Sequence, residues 1–300
     1  MRRKYQRIEN LELKKLELME ITEQDFYKYV PAAQNPEGYG IIEMMYSYLW
    51  RYTEKIMDDI IRSDIFDRID KHQDEFPGLV GMIKRYICLA AFFDAIPGLD
   101  LVLTPTGFGV VRNNNVAPAS RDRVRVYQTI VRLERDKALD DLISELRKVD
   151  GWADTDQAKE LINSLFWNGS DTCRELGITV KILDMVLPGG REDLERAAPL
   201  ITDTEIELNR ILSPEFYEEL VILERARNSM PHARLKHYIL NFAKTYFNRD
   251  FKAAKRAELK LIGFLDKFAK LFHTYAISSA YVANHHKRYE NREDSSCYFF

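Results

Sequence analysis

Apolar residues recur at helical spacing along most of the chain. Ile41, Met45, Tyr48, Tyr52, Ile56 and Ile60 return every three or four positions and predict one long helix from about Ile41 to about Gln73, ended by Phe76-Pro77-Gly78. The run from Leu79 to Ile96, with Ile83, Ile87, Ala90 and Ala91 in register, is apolar enough for a buried helix. Before these, Thr22 and Asp25 have the spacing of a capping box at the start of a short helix. Ser120 caps a helix through Val124, Tyr127, Val131, Leu139, Leu142 and Leu146 that Gly151 closes, and another spans roughly Thr155 to Trp167.

Two stretches break the helical period. Leu99-Asp100-Leu101-Val102-Leu103 and Gly107-Phe108-Gly109-Val110-Val111 flank Thr104-Pro105-Thr106 and read as a β-hairpin near 99–111. Residues 168–199 contain Gly169, Gly177, Pro188, Gly189, Gly190 and Pro199, which predict short helices, loops and a hinge between lobes. The last third is helical again, with Ser213-Pro214-Glu215 as a start signal. Ala254, Ala257, Leu261, Phe264, Phe268, Leu271, Tyr275 and Val282 then form the apolar seam of a last long helix. The fold class expected is mostly α, a helical bundle in two lobes with one small β-hairpin. The expected domains are a basic arm and short helix over 1–31, a helical lobe over 32–200, and a C-terminal long-helix bundle with an aromatic tail over 201–300.

Composition narrows the classes. A chain of 300 residues, 46% hydrophobic and 30% charged, can bury a substantial core. With 44 basic against 47 acidic residues it lacks the one-signed surface of a nucleic-acid coat. No apolar stretch approaches the roughly 20 residues of a membrane span, and the start lacks a signal-peptide core, so a soluble, cytoplasmic protein without membrane contact is expected. Cys88, Cys173 and Cys297 are too widely spaced for a Cys-x-x-Cys zinc or redox pair.

Candidate chemistry is sparse. Asp58, Asp59, Asp64, Asp67, Asp70, Asp74 and Glu75 are interleaved with Arg62, Arg68 and Lys71 and read as a solvated helix face rather than a metal site. His232 and His237, five apart, would point away from each other on a helix and read as ordinary surface or cap histidines. Gly107-Phe108-Gly109 lacks a third Gly, and no Gly-x-Ser-x-Gly elbow is present. No catalytic residue, cofactor or metal is expected. Residues 232–260 are strongly basic, and Lys252, Lys255, Arg256, Lys267 and Lys270 are expected to project opposite the Phe264/Phe268 seam as a face for DNA or an acidic partner. Arg2 and Arg3 begin a basic arm, while Tyr298, Phe299 and Phe300 follow a polar run and read as an anchor on a tether.

The passage from Leu103 through Gly107-Phe108-Gly109 and Asn114-Asn115-Val116-Ala117-Pro118-Ala119-Ser120, with Tyr289 to Asp294 and Tyr298-Phe299-Phe300, resembles an uncharacterised family of tailed phages and prophages of gut anaerobes. Ile21 to Phe26 is loosely similar to the opening of helical head-tail connector proteins. The resemblance implies a non-enzymatic virion structural protein, a head-tail connector or neck ring component, found in the virion and in the host cytoplasm during assembly. Its implied partners are its own copies in a ring, adjacent portal, connector or tail proteins, and DNA in the channel. Arg2, Arg3, Phe108, Tyr298, Phe299 and Phe300 are the partner-binding candidates. The alternative is a helical regulatory or nucleic-acid-binding protein, and a third class is an enzyme whose site is assembled from scattered residues.

Overall fold

The computed structural model describes residues 19–31, 41–99, 101–104, 107–110, 120–228 and 230–285. Helix α1 (Glu23–Tyr29) starts as its sequence dictates, because the Thr22 hydroxyl accepts from the Asp25 amide and the Asp25 carboxylate accepts from the Thr22 amide. The same carboxylate takes a hydrogen bond from Lys84 at 2.9 Å, which ties α1 to the apolar helix over Pro77–Ala95. Burial alone would raise the Asp25 carboxyl, yet Lys84 and the capping bonds hold it below its ordinary value.

The expected helix from Ile41 to Gln73 is divided into three pieces. Helix α2 (Ile41–Lys55) passes into a π-helical turn over Ile56–Ile61, and α3 (Ser63–Lys71) restarts after Arg62, whose φ of +82° and ψ of 134° cannot continue a helix. Side chains far along the chain bind carbonyls of the turn: Trp152 Nε1 donates to Ile60 at 2.9 Å and Gln157 Nε2 donates to Asp58 at 2.8 Å. Helix α4 (Pro77–Ala95) begins with Pro at its first position and buries most of its surface, as its near-continuous apolar sequence requires. Strands β1 (Leu101–Thr104) and β2 (Gly107–Val110) pair antiparallel with Thr104 opposite Gly107, so the expected hairpin is present. Helix α5 (Arg121–Leu146) follows the Ser120 cap. Helix α6 covers only Asp156–Leu161, shorter than its apolar pattern predicts.

Residues 168–199 hold a second hairpin that the Gly and Pro positions concealed. Helix α7 (Gly169–Leu176) ends at Gly177 in the left-handed conformation, strands β3 (Thr179–Ile182) and β4 (Met185–Pro188) pair antiparallel, and α8 (Arg191–Arg196) follows. The chain divides into two compact units, the first from the N-terminus to Arg196 with Arg225–Arg227 added, the second comprising Ala197–Glu224 and the chain from Asn228 onward. The second unit holds α9 (Ala198–Leu212), most of α10 (Pro214–Arg225), α11 (Leu235–Phe247), α12 (Phe251–Lys267), α13 (His273–Ala276) and α14 (Ser279–Asn284). Its core gathers Phe216, Phe272 and Tyr275, with Phe216 and Phe272 ring centroids 5.6 Å apart. The last seam is shorter than expected. Ala254, Ala257, Leu261 and Phe264 are buried, but the helix stops at Lys267, and Leu271 and Val282 face solvent.

In the first unit two carboxylates on one face of α5 organise α7 and α8. Asp140 accepts from Ser170 N at 2.8 Å and from Arg191 Nε at 2.7 Å, so a negative charge sits at the amino end of α7. Asp136, one turn earlier, accepts from Arg135 at 2.7 Å and faces the start of α8, where Asp193 pairs with Arg132 at 2.9 Å. Burial raises the Asp136 carboxyl above its ordinary value despite Arg135. The elements approach so closely that a Cβ on Gly190 would stand 2.4 Å from Asp136 Oδ2, and one on Gly169 would stand 2.8 Å from the Arg191 Cα. Gly190→Ala is therefore expected to lower stability by about 1–3 kcal/mol through overpacking, whereas Gly78→Ala, whose Cβ would meet nothing within 4 Å, should not. Urea unfolding of both variants checks this, and equal midpoints would show that α5 and α8 do not meet at Gly190.

Candidate functional site

A concave feature with a distinctive lining lies wholly in the second unit. Helices α11 and α12 form an αα-hairpin over the turn 248–250, with Tyr246 against Phe251 at the closed end and Tyr238 stacked on Phe264, centroids 4.5 Å apart, farther along. Beyond that stack a cleft of about 910 Å³ opens. Arg234, His237, Tyr238 and Asn241 reach it from α11 and its amino end, at spacings i, i+3, i+4 and i+7. Lys260, Gly263, Phe264 and Lys267 reach it from α12 at the same spacings. Each helix thus turns one stripe toward the cleft.

The floor is aromatic and the rim is cationic. Phe264 is buried, while Tyr238, Phe268 and His232 are half-buried around it. The His232 ring lies 4.4 Å from the Phe268 ring and 4.9 Å from Phe264. His232 Nδ1 accepts from the Arg234 amide at 3.1 Å, which leaves the proton of the neutral ring on Nε2 as a donor. Lys267 Nζ sits 5.5 Å from the Phe268 ring centroid. Among the described residues no acidic side chain lines the cleft, and Arg234, Lys260 and Lys267 have no carboxylate within ion-pair distance. Helix α11 begins with neither a side-chain cap nor an acid in its first turn, so its amino end adds to the positive potential.

The sequence-derived candidates are distributed differently from expectation. Lys267 does not oppose the Phe264/Phe268 seam; three residues from Phe264 on a helix is the same face, and both line the cleft. Lys255 is on the opposite side, where it binds Glu258 at 2.9 Å; Lys252, Arg256 and Lys270 are exposed outside the cleft. His232 and His237 do not diverge, because His232 precedes α11 and helical spacing does not apply to it. Arg2, Arg3, Tyr298, Phe299 and Phe300 lie outside the described residues, as does the side chain of Phe108, whose backbone belongs to β2. The missed members, Tyr238, Asn241 and Gly263, were detectable together with His237 as two matching i, i+3, i+4, i+7 stripes flanking a short turn, whereas His232 lies in neither stripe.

Elsewhere the chemistry is quieter. A smaller cavity of about 320 Å³ in the first unit mixes Arg68, His72 and Lys148 with Glu75 and Asp150. Cys173 is buried, and burial, assisted by Asp193, pushes its thiol up to about 12, away from nucleophile chemistry. Among the described residues no cluster of three or more His, Cys, Asp or Glu side chains could hold a metal ion. Among the same residues no helix is long and apolar enough to cross a membrane.

Residues 52–161 match a family described as one of unknown function, DUF6712. The match covers less than half of the chain and ends before the cleft. No curated protein and no solved structure matches the chain.

Glu258 supports the cleft from behind by joining α12 to α9, accepting from Arg210 and Lys255 at 2.9 Å each. Burial would raise its carboxyl, but hydrogen bonds from Lys255 and Arg210 outweigh this and hold it below its ordinary value. Its stabilisation is therefore present above the unfolded-state value and is lost as pH falls through the lowered folded value. Thermal unfolding of Glu258→Gln should show a deficit at neutral pH that closes in acid, and a deficit independent of pH would remove the ion pairs from the argument. Phe264→Ala should cost about 3–5 kcal/mol by emptying a buried ring site. Phe268→Ala should cost clearly less, because that ring is half-exposed past the helix end; denaturant midpoints of the two variants decide.

Proposed function

We propose that the chain is a non-enzymatic structural component of a tailed-phage virion, of the head-tail connector or neck class, which binds neighbouring copies of itself. The virion part of the reading is supported by the resemblance carried by residues 103–120 and 289–300. Subunit binding rests on one observation, the hairpin β3–β4. Its two-residue turn, Leu183 and Asp184, places Leu183 at a φ of +53°, where Gly or Asn is usual and a branched apolar side chain is strained. That side chain is 67% exposed, and Met185 and Val186 beside it are 48% and 62% exposed. A strained leucine at an exposed turn serves neither the local backbone nor the core. Each strand of this two-stranded sheet also keeps an open edge among the described residues. Apolar side chains next to open edges suit contact with another subunit.

The neck reading further assigns adjacent portal, connector or tail proteins as partners and the basic surface of α12 to DNA or an acidic partner ring. The alternative, a helical nucleic-acid-binding protein that works without a ring, is favoured by the cationic, aromatic cleft of the second unit.

Light scattering of the full chain, alone and with neighbouring virion proteins, separates the two. Assemblies larger than a dimer are expected, and a monomer or dimer under all conditions would contradict the proposal. Leu183→Gly should relieve turn strain and keep or raise the unfolding temperature while weakening assembly, and Leu183→Asp should abolish assembly with the fold intact. Assembly unaffected by either change would show that the hairpin is not the contact.

A further inference from the structure

We infer that the cleft between α11 and α12 is a binding site for a nucleotide unit, an unpaired base laid on the aromatic floor with its phosphate held by the cationic rim. The inference concerns the DNA contact of the reading above and is independent of ring assembly. Three observations converge on it.

The first is charge. Arg234, Lys260 and Lys267 bring three cations to one concavity that among the described residues has no acid in its lining. Elsewhere in the unit Lys255 is neutralised by Glu258 and Lys236 by Glu224, while Lys252, Arg256 and Lys270, which have no carboxylate partner among the described residues, stand outside the cleft and do not converge on it. An unbalanced cluster around a concavity attracts anions, and phosphate is the anion that lysine and arginine together hold well.

The second is the floor. Half-buried Tyr238, Phe268 and His232 offer ring surface to the cleft above buried Phe264. A phosphate alone would need no aromatic surface, and a paired duplex could not lay a base on it. Unpaired bases do both, since stacking on an aromatic ring is worth about 1–3 kcal/mol per base and coexists with backbone contacts. Asn241, at the cleft with an amide that both donates and accepts, can address a base edge.

The third is Gly263. It stands inside α12, where glycine is unfavourable relative to alanine, and its φ lies outside the left-handed region. A Cβ there would meet nothing within 4 Å, so neither packing nor backbone geometry calls for glycine. It lines the cleft between Lys260 and Lys267, where a missing side chain opens the helix surface to a close-lying ligand.

The source of the nucleotide unit is left to the experiment: a single strand, or a free mononucleotide. Binding of the full-length protein to a short labelled single-stranded oligonucleotide, to the matching duplex, to a labelled mononucleotide and to an acidic peptide should be measured by fluorescence anisotropy at several salt concentrations. Binding that favours the single strand over the duplex identifies a strand ligand, and binding of the mononucleotide with little gain from a longer strand identifies a free nucleotide. In either case Lys260→Gln/Lys267→Gln should weaken binding by about tenfold or more and flatten its salt dependence, while Lys252→Gln/Lys270→Gln changes it much less. Gly263→Ala is the discriminating variant, expected to raise the unfolding midpoint and to weaken binding together. The inference is overturned if neither nucleotide probe binds, if duplex or peptide binds as well as the single strand, or if both lysine pairs contribute equally. A failed cleft with intact assembly leaves the virion reading standing, and failed assembly with an intact cleft leaves this inference standing.

Discussion

The first unit depends on the pair of buried carboxylates that α5 presents one turn apart. Asp140 receives the amino end of α7 and the Arg191 side chain, and Asp136 receives Arg135 and faces the start of α8. Because buried ion pairs return little net stability after desolvation, their main consequence here is register. Asp140 accepts from Ser170 and Arg191 at these helix ends, Asp136 accepts from the Glu192 amide as well as from Arg135 of its own helix, and Gly169 and Gly190 admit the approach. Both ends of the segment carrying β3 and β4 are thereby fixed to one helix. A hairpin anchored at both ends can hold a strained, exposed Leu183 outward without collapsing onto its own unit.

The second unit solves a different problem with an αα-hairpin. The buried residues of α12, Ala254, Ala257, Leu261 and Leu265, fix the helix in its core, while Arg210 and Lys255 secure it through Glu258 on another side. The stripe left over, Lys260 to Lys267, meets the corresponding stripe of α11 across stacked Tyr238 and Phe264. Aromatic packing thus closes one end of the interface and furnishes the floor of the cleft at the other. Each unit carries its own distinctive surface, an exposed apolar hairpin in one and a cationic aromatic cleft in the other.

Much of this was legible where one local rule dominates. The Thr22/Asp25 capping box, the Ser213-Pro214 start and the hairpin around Thr104 and Gly107 stand in the structure as the sequence predicts. Long-range constraints were not legible. The break at Arg62 leaves the apolar period intact, and its carbonyl partners are Trp152 and Gln157, some ninety residues away. In β3–β4 the Gly and Pro punctuation outweighed the β-branched run Ile178 to Ile182, although a two-residue connection with ordinary strand composition lay between. The cleft was half legible. Counting charge located the basic stretch, but assigning Lys267 to the wrong face separated it from Phe264, and treating His232 as helical hid its partnership with Phe268.

Subunit contact through the anchored hairpin is the claim on which the functional reading turns, and amide hydrogen exchange of the full chain at low and high concentration tests it most directly. As assemblies form, amides on the open edges of residues 179–188 should gain protection, while those of 232–268 keep the exchange they show in the dilute protein. Protection arising instead in 232–268, or larger assemblies forming with no change at 179–188, would contradict it.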